Sequence, residues 1–161
     1  MPDNANISDI GPDTRPDIRI DKDGLWYYRG TEMFRKDIVQ SLYRHLKRDQ
    51  DGRYRIEIGE DRAYVDVEDT PYVVQSVSCI FTEGKGEDVI TLHMPDDSMA
   101  ELDPSTLRVG ADNTLYGIMA GLGFEARFSR SSYYQLAEHI EFDAGQGKFY
   151  ICLNSHRYYI S

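Results

Sequence analysis

The chain has 161 residues, enough for one ordinary domain or two very small domains that share a core. Its 28 acidic and 18 basic residues give a formal net charge of -10 at pH 7. Nucleic acids and anionic membrane surfaces are bound largely through Lys and Arg, so this acidic balance argues against both partners.

Residues 1–16 are predicted to form a flexible lead-in. They contain three prolines and few large apolar residues, with neither the basic start nor the apolar core of a signal peptide. No later run approaches the roughly 18 consecutive apolar residues that a membrane span needs. We therefore expect a cytoplasmic protein without a membrane partner.

Residues 17–88 are predicted to form a first repeat domain. It opens with a strand, a polar turn and a second strand in "IRIDKDGLWY". A helix follows, because apolar residues recur every four positions. The turn "DQDG" ends this helix, and alternating apolar and polar residues in "RYRIEI" and "AYVDV" predict a hairpin. The residues of the helical stripe are Phe34, Ile38, Leu42 and Leu46.

Residues 89–161 are predicted to form a second repeat domain, because the same order of elements recurs there. "LRVGADNTLY" matches the first hairpin at an offset of 89 residues, and a helix from Phe128 matches the one from Phe34 at an offset of 94. Phe149 then matches Tyr54 at an offset of 95. One helix cannot cover both faces of a small sheet, so the two copies are expected to share a core. The predicted fold class is α+β, with two tandem ββ-α-ββ repeats, mostly antiparallel sheets and two principal helices.

The residue types that commonly carry catalysis or bind metals form no motif here. Cys79 and Cys152 lie in apolar runs and are predicted to be buried free thiols. Without a C-x-x-C or H-x-x-x-H pair, we predict no metal site and no cofactor. His45 and His139 share one repeat position near a helix end, where the helix dipole favours a partly charged imidazole. "SRSS" lacks a nucleophile elbow, so Ser129 is predicted to cap a helix and no catalytic residue is assigned.

Three segments of the first repeat are similar to a bacterial family of unknown function. They are "DGLWYYRG", "FRKDIVQSLYRHLKRDQDGRY" and "VDVEDTPYVV", and the resemblance returns in "GLGFEARFSRSSYYQLAEHI". It implies two related small α+β domains that are distantly similar to pleckstrin-homology domains. It also implies ligand sensing in signal transduction, but the family offers no catalytic residues to transfer.

These observations favour a non-catalytic module that binds a ligand or a partner, with a small anionic molecule or an acidic peptide as the expected partner. Two alternatives stay open. One is a small hydrolase-like enzyme whose active site assembles from dispersed residues, and the other is a structural subunit of a homo-oligomer.

The predicted ligand site is a groove at the junction of the two repeats. The arginines that alternate with apolar residues on the opening strands are not explained by burial, and those near the helix starts gain nothing from the helix dipole. Tyrosines beside them would supply rings with polar tips. The predicted ligand-binding residues are Arg19, Tyr27, Arg35, Arg108, Tyr116 and Arg130.

Overall fold

The computed structural model of the chain describes residues 16–161. The predicted lead-in therefore lies outside the described residues, apart from Pro16. The chain divides into two compact units, with the division between Asp69 and Thr70. The predicted boundary was Asp88, but residues 70–88 contribute strands to the sheets of the second unit. Each unit is described by itself.

Between residues 16 and 69, the first unit contains a six-stranded sheet and one helix. The sheet has the order β3-β2-β1-β6-β5-β4. All neighbouring strands are antiparallel except β1 and β6, which run parallel. The elements are β1 (Ile18–Ile20), β2 (Trp26–Tyr28), β3 (Thr31–Glu32), α1 (Lys36–Arg44), β4 (Leu46–Arg48), β5 (Tyr54–Ile58) and β6 (Asp61–Val67).

The core of the first unit lies on one face of this sheet. Ile20 and Trp26 are register partners on β1 and β2, and both are buried. The Trp26 ring meets the Tyr43 ring of α1 edge-on, with centroids 4.9 Å apart. Leu46, which was predicted to belong to the helical stripe, instead begins the short strand β4 and is buried there.

The second unit contains a six-stranded sheet, a three-stranded sheet, one α-helix and a short 3-10 helix (Ala111–Asn113) within residues 70–161. The first sheet has the order β7-β12-β11-β10-β9-β8, and the second has the order β13-β14-β15. The elements are β7 (Tyr72–Val74), β8 (Ser76–Ile80), β9 (Val89–His93), β10 (Met99–Val109), β11 (Leu115–Met119), β12 (Glu125–Phe128), α2 (Arg130–Ala137), β13 (Ile140–Asp143), β14 (Lys148–Leu153) and β15 (His156–Tyr159).

The internal order of the first unit recurs in the second from β10 onwards. Three strands precede each helix and three follow it, so the repeat is βββ-α-βββ rather than the predicted ββ-α-ββ. The hairpin β4–β5 pairs Leu46 with Ile56, and β13–β14 pairs Ile140 with Ile151 at the same repeat positions. The predicted α+β class, with mainly antiparallel sheets and two helices, is confirmed.

The parallel contact of β1 and β6 also has a counterpart. Ser161 donates a backbone hydrogen bond to Leu107 and accepts one from Val109. In parallel strands, one residue forms hydrogen bonds to the two residues that flank its partner. Ser161 bonds in this way to the residues on either side of Arg108, so it continues β15 in parallel alongside β10. Arg108 of β10 thus has the same sheet position as Arg19 of β1, which pairs in parallel with Asp66.

Candidate functional site

An open cavity of about 560 Å³ lies in the first unit. Strands β1 and β2 place Arg19 directly opposite Tyr27, so the two side chains share one face of the sheet. The next pair along, Ile20 with Trp26, is buried on the other face. The cavity is lined by Pro16, Asp17, Arg19, Tyr27, Arg29 and Gly30.

A tight turn closes one side of the cavity. Arg29 and Gly30 connect β2 to β3, with φ values of 48° and 83°. Positive φ at both central residues suits a two-residue hairpin turn, and glycine adopts it at no steric cost. The turn therefore places the Arg29 side chain beside the cavity, next to a position that carries no side chain.

The cavity side chains are partly engaged with carboxylates. Arg19 Nη2 donates to Glu68 Oε1 at 2.8 Å. Arg29 lies 3.4 Å from Asp17 Oδ2, and its guanidinium lies 5.3 Å from the centre of the Tyr28 ring. Ion pairs between exposed side chains contribute little to stability. Another anion can therefore displace these carboxylates from the arginines, or bind to the arginines beside them.

Tyr27 supplies a neutral hydrogen-bond donor. Its hydroxyl donates to Asp21 Oδ2 at 3.2 Å. Burial and then the negative charge of Asp21 raise the pKa of the Tyr27 phenol above its ordinary value. The hydroxyl therefore keeps its proton at neutral pH.

Arg108 and Tyr116 are the equivalent pair in the second unit, and they also face each other across two antiparallel strands. Arg108 binds Glu125 with both branches of its guanidinium, through Nε at 2.7 Å and Nη2 at 2.9 Å. The guanidinium lies over the Tyr116 ring, 4.2 Å from its centre. In the second unit, therefore, a side chain of the protein itself, that of Glu125, accepts the hydrogen bonds of the arginine.

The two predicted arginines near the helix starts, Arg35 and Arg130, contact side chains outside this cavity lining. Arg35 stands at the N-cap of α1 and forms an ion pair with Asp37 at 2.7 Å. Arg130 begins α2 and lies 5.8 Å from the centre of the Tyr133 ring. Arg35 does not line the cavity described above. The six predicted residues divide equally between the two units, three in each.

Sequence reasoning missed four of the residues that line the cavity, which are Pro16, Asp17, Arg29 and Gly30. The available signal for Arg29 and Gly30 was the dipeptide between "WYY" and "TE", since Gly in a short gap between strands predicts a tight turn. The prediction that both thiols are buried is wrong, because Cys152 is exposed and Cys79 is half-buried. Burial raises the pKa of the Cys79 thiol.

The two histidines at the shared repeat position differ in their contacts. His45 Nδ1 lies 2.8 Å from the carbonyl oxygen of Ser41, whereas the His139 ring packs 4.9 Å from the Phe81 ring. Over residues 16–161, no three His, Cys, Asp or Glu side chains are grouped as metal ligands. In the same residues, neither helix is long and apolar enough to cross a membrane.

Comparison with known proteins gives a family-model match for residues 11–70 and a fold for the chain. Residues 11–70 match the family model described as the N-terminal domain of a domain of unknown function, DUF1285. No curated protein matches the chain.

Two crystal structures share the fold. One is a DUF1285 family protein from Silicibacter pomeroyi DSS-3, with 22% identity and a TM-score of 0.73 over 97% of this chain and 85% of that one. The other is a DUF1285 family protein from Shewanella baltica OS155, with 18% identity and a TM-score of 0.63 over 76% of this chain and 91% of that one. Residues 11–70 thus match the N-terminal domain of DUF1285, a family of unknown function, and the chain has the fold of two DUF1285 proteins, in agreement with the resemblance seen in its sequence.

Proposed function

We propose that the chain is a non-catalytic binding module and that the cavity of the first unit binds a small anionic ligand. The observation that carries this proposal is the convergence of Arg19, Tyr27 and Arg29 on one open cavity. Two guanidinium groups offer hydrogen-bond donors and stay charged at every physiological pH. The Tyr27 hydroxyl, which donates to Asp21, would become a further donor by turning from Asp21 to the ligand.

The chemistry of the lining favours binding over catalysis. Among the lining residues within 16–161, the one carboxylate belongs to Asp17, which is already paired with Arg29, and none is a His, Cys or Ser. A bound anion would be positioned by fixed donors, with no paired acid and base beside it. Recognition of an anion also suits the sensing role that the family resemblance implied.

Binding is tested by isothermal titration calorimetry with citrate, inorganic phosphate and adenosine monophosphate as probes. We expect at least one probe to bind and to raise the melting temperature, because a ligand that binds only the native state stabilises it. The double variant Arg19→Gln, Arg29→Gln should weaken binding by tenfold or more. Its melting temperature without ligand should stay close to that of the unaltered protein, because the ion pairs of both arginines are exposed, as is the contact of Arg29 with the Tyr28 ring.

Arg35→Gln is the matched control. It removes the same charge from an exposed arginine that lies outside the cavity lining. Its affinity should equal that of the unaltered protein. Binding that is absent for all probes, or equal in the double variant and the control, would contradict the proposal.

A further inference from the structure

We infer that the group bound in this cavity is a carboxylate, held by Arg19 as the carboxylate of Glu125 is held by Arg108. The inference rests on the proposed function and specifies its ligand. Its evidence is the strand register of the two repeats. The second repeat has a carboxylate side chain, that of Glu125, at the position where the first repeat has Gly30.

The strand registers identify the equivalent positions. Tyr116 pairs with Arg127, and two residues further along this ladder Ile118 pairs with Glu125. In the first unit Tyr27 pairs with Glu32, and a move of two residues towards the turn along both strands reaches Arg29 and Gly30. Gly30 therefore occupies the position of Glu125.

The second unit shows what this position holds when it carries a side chain. Both oxygens of Glu125 accept from the guanidinium of Arg108, at 2.7 and 2.9 Å. The planar fork of arginine matches a planar carboxylate in this two-bonded arrangement. The Tyr116 ring beneath the guanidinium, 4.2 Å from its centre, adds a cation–π contact and fixes its plane.

The first unit retains the arginine and the tyrosine but lacks the carboxylate. A Cβ atom built on Gly30 would meet no atom within 4 Å, so the space beside this backbone position is open. Arg29 replaces Ile118 as the neighbour, which adds a positive charge where the second unit has an apolar side chain. At this pair of positions the exchange removes one anion and adds one cation, and at the adjoining pair Glu32 stands where the second unit has Arg127. The two ladders therefore carry the same net charge, and what distinguishes the first unit is an arginine beside an open position at the turn.

Glu68 competes for Arg19, but it binds differently from Glu125. Its contact with Arg19 is a single bond from Nη2, at 2.8 Å, between two partly exposed side chains. A ligand carboxylate that binds Arg19 as Glu125 binds Arg108 needs Nε and Nη2, so it displaces Glu68 from Nη2. The Glu68→Gln variant should therefore bind carboxylates several-fold more tightly, because it removes a competing negative charge.

The decisive experiment compares two variants at one position. Gly30→Glu supplies the internal carboxylate of the second repeat, whereas Gly30→Gln has the same shape and the same strain at φ +83° without the charge. Calorimetry with succinate and citrate, against inorganic phosphate and phenyl phosphate, measures the affinity of each. We expect the carboxylates to bind the unaltered protein at least tenfold more tightly than the phosphates. Gly30→Glu should lose carboxylate binding by tenfold or more relative to Gly30→Gln.

The outcomes separate the inference from the proposed function. Phosphates that bind more tightly than carboxylates at an Arg19-dependent site would overturn the inference and leave the proposed function standing. Equal carboxylate affinity in Gly30→Glu and Gly30→Gln would also overturn it. Absence of binding by every probe would overturn the proposed function itself. If both Gly30 variants fail to fold, the Glu68→Gln measurement decides, since unchanged or weaker carboxylate binding there contradicts the inference.

Discussion

Phe34 and Phe128 occupy the same position before their helices, yet Phe34 is 78% exposed and Phe128 is 3% exposed. The helices differ likewise one turn later, where Ile38 is exposed and Ser132 is fully buried. The difference arises from what packs on each helix. In the second unit α2 packs against β8 and β12. An apolar stripe thus indicates which side of a helix can be buried, but the neighbouring elements determine whether burial occurs.

The strands β7 and β8, which precede the second repeat, hold α2 in place. The Ser132 hydroxyl donates to the carbonyl oxygen of Val74 at 3.0 Å, and the amide N–H of Val77 donates to the side chain of Gln135 at 2.7 Å. These bonds satisfy a buried hydroxyl and a strand amide. Among the residues described for the first unit, no strand corresponds to β7 or β8.

Truncating the two phenylalanines should give the largest contrast. Phe128→Ala should lower the free energy of unfolding by about 3–5 kcal/mol, because it leaves a cavity in the core. Phe34→Ala should change it by less than about 0.5 kcal/mol, as expected for an exposed site. Urea unfolding followed by circular dichroism measures both values. Equal losses in the two variants would show that Phe34 is buried in solution and would break the comparison.

The helix starts provide a second contrast, of smaller size. Ser129 caps α2 by accepting from the amide N–H of Ser132 at 3.2 Å, whereas Arg35 at the equivalent position of α1 accepts no such bond. Ser129→Ala should therefore cost about 1 kcal/mol. Arg35→Ser should raise the melting temperature, because it supplies the missing acceptor. The same urea titrations test both changes, and a loss of stability in Arg35→Ser would refute the assignment.

The turns after the two helices provide the smallest contrast. It concerns the carboxylates Asp49 and Asp143, and its effect on stability depends on pH. Asp49 pairs with Arg55, while Asp143 accepts a hydrogen bond from the Tyr159 hydroxyl at 2.7 Å. The Tyr159 bond, together with the amide N–H groups of Gln146 and Gly145, holds the pKa of Asp143 below its ordinary value.

This lowered pKa fixes the sign of the expected effect. A carboxylate whose folded pKa lies below the unfolded value of about 3.9 stabilises the fold above that value and loses its contribution as the pH falls through the folded pKa. The melting temperature of Asp143→Asn should therefore lie below that of the unaltered protein at pH 7, and the gap should close towards pH 3. Tyr159→Phe removes the main hydrogen bond and should flatten the same dependence. A gap that stays constant from pH 7 to pH 3 would contradict this account.

The sequence by itself determined the local structure and its repetition. The spacing of Phe34 and Ile38 predicted a helix, and the alternation around Arg19 placed its side chain away from Ile20, because backbone geometry sets which residues share a face. The matched positions of Tyr27 and Tyr116 followed from the same pattern. The prediction of Ser129 as a helix cap is confirmed, because capping depends on residues only three positions apart.

The tertiary structure alone decided which of these features are buried and which form a site. The unit boundary after Asp69 and the packing of β8 on α2 depend on contacts between residues far apart in the chain, which periodicity does not report. The cavity depends on the absence of a side chain at Gly30, and this absence gains meaning only when the ladder register aligns Gly30 with Glu125. Register is set by pairing between strands, so it becomes visible only once the strands are assembled.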